Sequence, residues 1–345
     1  ADHLVARLTL EEGADWPALQ EALAKTPGAV KFTPVYRADL DYDDIAALVA
    51  RVAKTRRFVT FRISAHRSDK RFSLTSREMN VSLGALVEHE TGARVNLTRP
   101  DLNIRVDVFA SGAFVWTDEE QGAGGLPVGT GGRVAVLMSG GIDSPVAAWR
   151  MIRRGCRATL VHFHSFPLVE GRSREKAREL AAALNAYQLD TRLYLTPFAD
   201  VQRAIILSTP GPLRVVAYRR FMMRIAEAVA HREGAQALVT GESLGQVGSQ
   251  TLANISAVGD AATLPVLRPL AGMDKAEIIE QAQAIGTYDT SILPDEDCCS
   301  LFVPRSPSTA VSVAQAREVE RALDVDALVA QAVEAAEVVD YHAGG

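Results

Sequence analysis

The 345-residue chain has little cysteine, no long apolar run, no internal repeat and no low-complexity tract, and each shortage excludes something. Its three cysteines, Cys156, Cys298 and Cys299, are too few for a disulfide framework. Two are adjacent, which is poor geometry for a mutual bridge. A reducing setting follows, so a cytoplasmic protein is expected. No stretch approaches the roughly 18 apolar residues of a membrane span, and no signal peptide is visible. What is present is ordinary for a soluble globular protein: 48% apolar and 23% charged residues. The length suggests two or three domains.

A net charge of −5 does not mark the whole chain as a nucleic-acid binder. The charge is uneven, however. Residues 51–77, "RVAKTRRFVTFRISAHRSDKRFSLTSR", carry nine Lys/Arg against one acid, Asp69. A basic stretch on an acidic chain is the footprint expected for a phosphate backbone, although a solvated charged surface would read the same way. Arg56, Arg57, Arg62, Arg67, Lys70 and Arg71 are the candidate contacts.

The hydrophobic pattern divides the chain in two. The first third reads as α+β: strands at Leu4–Leu10, Val30–Arg37 and Phe58–Ala65, helices at Asp15–Lys25, Asp43–Lys54 and Ser76–Glu90, and two more strands around a turn at Ser111-Gly112. "GAGGLPVGTGG", residues 122–132, has six glycines in eleven residues. It reads as a flexible hinge, or as a structured loop whose backbone approaches a ligand closely. Beyond it, strands and helices alternate. Strands are expected at Val134–Met138, Ala158–His164, Thr191–Leu195, Ala237–Thr240 and Leu264–Arg268. Helices are expected at Ser144–Arg154, Ser173–Ala186, Pro212–Glu233 and Lys275–Gly286. That alternation predicts an α/β fold with a doubly wound parallel sheet. Residues 313–339 read as two amphipathic helical segments broken near Asp324.

The chemistry centres on "VAVLMSGGIDSPVAAW". A strand ends at Met138 and a helix begins near Ser144, with Ser144 suited to the N-cap and Pro145 to the first turn. The loop thus lies at the carboxyl end of a parallel strand, where open sheets bind ligands. Gly140 and Gly141 free backbone amides to face an anion, Ser139 and Ser144 offer hydroxyls, and the helix N-terminus adds positive potential. The lysine of an ordinary P-loop is missing. Asp143 stands there instead. A carboxylate beside a polyphosphate needs an intervening cation, so Asp143 is a candidate magnesium contact, with helix capping as the plainer alternative.

"SGGIDS" after an apolar strand resembles the PP-loop of ATP pyrophosphatases, which split ATP between the α and β phosphates and leave AMP on an acceptor oxygen. The wider set "GAGGLPVGTGGRVAVLMSGGIDSPVAAW", "VHFHSFP", "RRFMMRIAE", "VTGESLGQVGSQTLAN", "RPLAGMDKAEIIEQAQAIGTYD" and "PDEDCCSLFVPRSP" is similar to the tRNA 4-thiouridine synthetase family, from about Val30 to Val339. The resemblance implies a partial ferredoxin-like piece (1–35), a THUMP RNA-binding domain (36–119), the glycine-rich linker (120–132) and a PP-loop domain (133–345). The first piece is shorter than the family pattern. By the same resemblance ATP is held at Leu137, Met138, His162, Phe163, Arg219, Gly241 and Gln250 besides the loop. The partners implied are tRNA and a cysteine desulfurase or other persulfide carrier, with a homodimer as the family's assembly.

The implied reaction adenylates O4 of a tRNA uridine, at position 8 in the family, and replaces that oxygen with persulfide sulfur. Asp143, Cys298 and Cys299 are the candidate catalytic residues. In family members with a rhodanese domain, the cysteine matching Cys298 works with a second cysteine in that domain. Here only residues 300–345 follow, so Cys299 or an external carrier is expected to replace it. Asp295, Glu296 and Asp297 would raise a neighbouring thiol's pKa, so activation must come from elsewhere in the fold. Cys156, in "RRGCRATL", reads as structural. Three other readings compete: sulfur delivery for thiamine thiazole synthesis, a non-catalytic tRNA binder of the same fold, and a glutamine-dependent synthetase using the same loop. The first belongs to the rhodanese domain in relatives, the intact motifs oppose the second, and no glutaminase domain supports the third.

Overall fold

A computed structural model of the chain describes residues 8–11, 13–117, 119–168, 172–294 and 307–343. Cys298 and Cys299 lie outside them, as does most of the strand expected at Leu4–Leu10; residues 8–10 are not a strand. The chain divides into two compact units, one of Lys31–Gly122 and one that joins the residues up to Val30 with those from Ala123 onward.

Helix α1, Trp16–Lys25, is capped by Asp15 and belongs to the larger unit. The smaller unit holds β1 (Lys31–Phe32), β2 (Tyr36–Ala38), α2 (Tyr42–Lys54), β3 (Thr60–Arg67), α3 (Ser76–Thr91), β4 (Arg94–Val95), β5 (Leu102–Phe109), β6 (Gly112–Trp116) and β7 (Glu120–Gln121). The strand expected over Val30–Arg37 is two short strands, because Pro34 between them cannot donate to a ladder. Five strands form one mixed sheet in the order β2-β6-β5-β3-β4, and β1 pairs with β7. Alternation decides its faces. Phe61, Ile63, Ile104, Val106, Val108 and Val115 turn toward α2 and α3, where Ile45, Val49, Met79 and Leu83 complete a core. Arg62, Ser64, Arg105 and Trp116 occupy the opposite face and line a cleft of about 560 Å³.

The larger unit continues with β8 (Arg133–Leu137), α4 (Asp143–Arg153), β9 (Arg157–His164), α5 (Arg172–Gln188), β10 (Thr191–Pro197), α6 (Ala199–Ser208), α7 (Arg214–Glu233), β11 (Ala237–Val239), α8 (Leu252–Gly259), β12 (Val266–Leu267), α9 (Lys275–Ala284), α10 (Tyr288–Ser291), α11 (Val313–Glu320), α12 (Val325–Glu334) and β13 (Glu337–Tyr341). The sheet order is β12-β11-β8-β9-β10-β13, parallel except for β13, which runs antiparallel to β10. Near-continuous apolar strands such as Val134–Val136 and Ala158–Val161 fit a sheet covered on both sides. Helices α4, α5 and α9 pack on one face, and α6, α7, α8 and α12 serve the other. This is the expected doubly wound α/β fold. The tail differs from expectation. Asp324 does cap α12, but residues 337–341 form the edge strand β13, because a free edge beside β10 gives Val338 and Val339 a ladder to join.

The glycine-rich stretch is no free hinge. Leu126 N–H donates to Arg153 O at 2.9 Å, and Gly129 and Gly131 N–H both donate to Gly155 O at 2.8 Å. Its backbone is laid against the turn between α4 and β9. Gly125 has φ +76°, and a Cβ there would stand 2.0 Å from Arg153 O. The close approach allowed by glycine is therefore to the protein's own backbone. Cys156 belongs to this turn: it is buried, its thiol donates to Gly131 O, and burial raises its pKa. We predict that Gly125→Ala destabilises the larger unit by about 2 kcal/mol or more, from the left-handed φ and the clash together. Thermal unfolding should show a lower midpoint than a Gly13→Ala control, since a Cβ at Gly13 meets nothing within 4 Å.

Candidate active site

Strand β8 carries its pairing one residue past its end, with Met138 N–H donating to Val161 O at 2.8 Å. The chain then turns through 139–142 and enters α4 at Asp143, one residue before the expected start. Ile142 is the N-cap and no side chain caps the helix. Ser144, expected as the cap, sits inside the first turn because its hydroxyl is used elsewhere. It accepts from Ser139 N–H at 2.9 Å and donates back to Ser139 O at 3.0 Å. Ser139 Oγ in turn accepts from Gly141 N–H at 3.3 Å. The two hydroxyls brace the neck of the loop. The first-turn amides of α4, without intrahelical partners, remain for an anion.

The missing lysine arrives from far along the chain. Lys275, the first residue of α9, donates to Asp143 Oδ1 at 2.8 Å, and Gln246 Nε2 donates to Asp143 Oδ2 at 3.2 Å. A capping box between Asp274 and Glu277 fixes the start of α9 and so the root of that lysine. Nothing local in the sequence points to Lys275 or Gln246; only the long motifs contain them. The cation that Asp143 was expected to need is thus present as an ammonium. Among the described residues, no group of three or more His, Cys, Asp or Glu could hold a metal. Magnesium fits only with the nucleotide, Asp143 giving one ligand and phosphates the rest.

Leu137, Met138, Ser139, Asp143, Ser144, His162, Phe163, Arg219, Gly241 and Gln250 line one cavity of about 260 Å³. Gly140 and Gly141 stand in the loop beside it. Met222, Met223, Thr240, Glu242 and Val258 complete the wall and were not foreseen. His162 Nδ1–H donates to Met138 O at 3.0 Å, which fixes the imidazole's tautomer and ties β9 to β8. Phe163 packs edge-on to Phe198 at 5.5 Å, so it is core and cavity wall at once. The apolar rings and thioethers suit a flat base. The buried Gln250 Oε1 has no hydrogen-bond partner among the described residues, which suits an incoming donor. Gly241 is required by space: a Cβ on it would lie 2.8 Å from Ser144 N. Arg219, expected among the ATP contacts, pairs with Glu242 at 2.8 Å.

Residues 129–325 match the family model described as Thiamine biosynthesis protein (ThiI), and residues 40–118 match that of the THUMP domain. A "Probable tRNA sulfurtransferase" of Thermus thermophilus is 50% identical over 326 residues, covering 94% of this chain and 80% of that protein. One of Moorella thermoacetica, with the same name, is 45% identical over 96% of this chain and 86% of its own length. A crystal structure of a 4-thiouridine synthetase–RNA complex with bound ATP matches with a TM-score of 0.91 at 34% identity, over 96% of this chain and 88% of that one. The chain belongs to the ThiI family of tRNA sulfurtransferases.

In the smaller unit, which contains the whole of the THUMP match, the basic residues are distributed before, along and after β3. Arg56 and Arg57 are exposed before β3, while Lys70 and Arg71 are exposed after it. At a rise of about 3.3 Å per residue, the strand between these pairs is about 23 Å long. Arg71 is engaged with Asp69 at 2.8 Å, which holds that carboxyl near about 2. Arg67 is half-buried and donates to Phe72 O, and Arg62 lines the cleft on the open sheet face.

His164, two residues beyond His162 on β9, is buried and its pKa is lowered to about 4, first by burial and then by His162 and Arg174. The folded state therefore keeps it neutral where the unfolded chain binds a proton. Its contribution is whole above pH 6.5, declines as pH falls toward about 4, and levels off below. The loss amounts to about 3 kcal/mol at most. We predict that His164→Gln flattens this part of the acid limb in urea unfolding measured from pH 7 to pH 4.

Proposed function

We propose that this family member binds ATP in the cavity, adenylates O4 of a tRNA uridine and exchanges that oxygen for sulfur, giving 4-thiouridine, AMP and pyrophosphate. The observation that carries the reading is one small cavity with an apolar end, lined by the loop and Arg219, with Lys275 paired to the lining carboxylate of Asp143. The base lies against Phe163, Met222 and Met223, with Gln250 and the backbone near Met138 at its polar edge. The phosphates meet the α4 amides, Arg219 and Lys275. ATP enters as its magnesium complex, whose metal screens the phosphate charge near Asp143.

The uridine O4 attacks the α-phosphorus and the bond to the β-phosphate oxygen breaks. Negative charge grows on the departing pyrophosphate. Lys275 and the α4 amides are fixed beforehand where that charge develops, so little reorganisation is needed. The tethering of Lys275 to Asp143 keeps its flexible stem in place. In the second stage the terminal sulfur of a persulfide adds to C4, and AMP departs with the former O4. A further thiol then cleaves the sulfur–sulfur bond, releasing the thionucleoside and becoming part of a disulfide. Cys298 and Cys299 are the proposed thiols of this relay, loaded by a cysteine desulfurase or another persulfide carrier. The basic side chains of the smaller unit hold the tRNA by its phosphates, and the family-level target is the uridine at position 8.

Three outcomes test the reading. Mass spectrometry of tRNA nucleosides after incubation with ATP, cysteine and a cysteine desulfurase should detect 4-thiouridine. Asp143→Ala and Lys275→Ala should each slow tRNA-dependent AMP formation by about 100-fold or more. Wild-type rates in both would remove the loop from the chemistry. Arg56→Glu with Arg57→Glu should weaken tRNA binding for all sequences alike and flatten its salt dependence, as measured by filter binding across a salt series.

A further inference from the structure

We infer that Glu242 is a positioning residue for adenylation: anchored from behind by Arg268, it fixes the Arg219 guanidinium on the cavity wall and cancels one of two positive charges there. The inference rests on the reading of this cavity as the ATP site. Glu242 follows β11 and is buried, so its carboxylate must be compensated. Oε1 accepts from Arg219 Nη1 at 2.8 Å. Oε2 accepts from Arg268 Nε at 2.8 Å and from the Thr240 hydroxyl at 3.0 Å. Three donors from three segments thus hold one carboxylate: α7, the end of β12, and the residue after β11.

Arg219 and Glu242 line the cavity, and Arg268 does not. Space is reserved for Arg268 by Gly259, the last residue of α8. Gly259 lacks the positive φ that would demand glycine, yet a Cβ on it would come within 3.2 Å of Arg268 Nη2. That Nη2 is buried without a hydrogen-bond partner among the described residues. Among the described residues Arg268 donates to Glu242, so its place is explained by the carboxylate it steadies.

The arrangement has a consequence for catalysis. Two guanidiniums with one carboxylate leave a single positive charge; without Glu242 there would be two. Extra charge would tighten ATP, AMP and pyrophosphate alike, which is uniform binding and does not speed the chemical step. A loosened Arg219 would meanwhile lose its alignment. Affinity and rate should therefore separate.

The test measures ATP and AMP binding by calorimetry, and single-turnover adenylation with tRNA by AMP release, in Glu242→Gln, Glu242→Asp, Arg268→Met and Gly259→Ala. Glu242→Gln should bind ATP and AMP about 3- to 10-fold more tightly, from one unit of added local charge. Its adenylation rate should fall about 10-fold or more, from misplacement of Arg219. Glu242→Asp should restore wild-type affinity with part of the rate. Arg268→Met should lose rate and affinity together, since its pocket has no net charge left. Gly259→Ala, whose Cβ would press on the tip of Arg268 without entering the cavity, should lower the rate by a smaller factor with affinity unchanged. Wild-type behaviour of Glu242→Gln, or parallel loss of affinity and rate in Glu242→Gln with unaltered thermal midpoint, would overturn the inference. Should Glu242→Gln fail to fold, Glu242→Asp and Arg268→Met decide, and wild-type rate in both overturns it. Failure of the wild-type protein to bind ATP would instead overturn the ATP-site reading.

Discussion

The site depends on one close approach of two backbones. Gly241, just past β11, lies so near the first turn of α4 that a Cβ would stand 2.9 Å from Asp143 C and 2.8 Å from Ser144 N. A side chain there would push the loop off the sheet's edge. Because the approach is allowed, the segment after β11 passes directly beside the loop after β8. That segment delivers Thr240 and Glu242 to the cavity wall, Gln246 to Asp143 and Gln250 to the far side. The adjacency of β11 and β8 in the sheet sets the spacing, and a missing side chain closes it.

Charge in the cavity is organised in short chains of ion pairs. Asp143 balances Lys275, and Glu242 is shared by Arg219 and Arg268. Behind the wall, α7 is held by the neighbour of Arg219. Arg220 is fully buried, pairs with Glu320 at 2.8 Å and Asp260 at 3.0 Å, and also donates to Ala257 O. Burial alone would raise the Glu320 carboxyl, but hydrogen bonds from Arg220 and Arg224 outweigh it and hold the pKa low. Removing one partner of such a buried pair leaves an uncompensated charge and costs about 3–5 kcal/mol. Adjacent arginines on one helix thus have separate tasks. Arg220 locks α7 to α8 and α11, and Arg219 is presented to the cavity.

How much of this could be read from the chain follows from the range of each signal. The αβ alternation after residue 133 is local periodicity, and it located every central strand to within about two residues, the usual boundary uncertainty. The ordered motifs gathered ten lining residues from β8, β9, α7 and the segment after β11. What escaped was long-range. Lys275 lies 132 residues from Asp143, and no period or spacing joins them. The Ser144 hydroxyl was expected to cap a helix, yet a tertiary bend turned it to the loop's neck. Val338 and Val339 continued a helical pattern and became strand because an edge was free. The basic run looked like one face in sequence, but an eight-residue strand in its middle carries its two ends apart.

The absence of a local lysine has a physical consequence of its own. In an ordinary P-loop the cation is a few residues from the glycines, so loop and charge form together. Here the loop follows β8 and the ammonium starts α9, beyond four further strands and several helices. The positive charge reaches the loop only when β11, the segment after it and α9 are all docked. Until then Asp143 faces the anion site unbalanced and repels a polyphosphate. The loop is thus made competent by the completed tertiary fold, whereas a Walker-type loop carries its lysine covalently close.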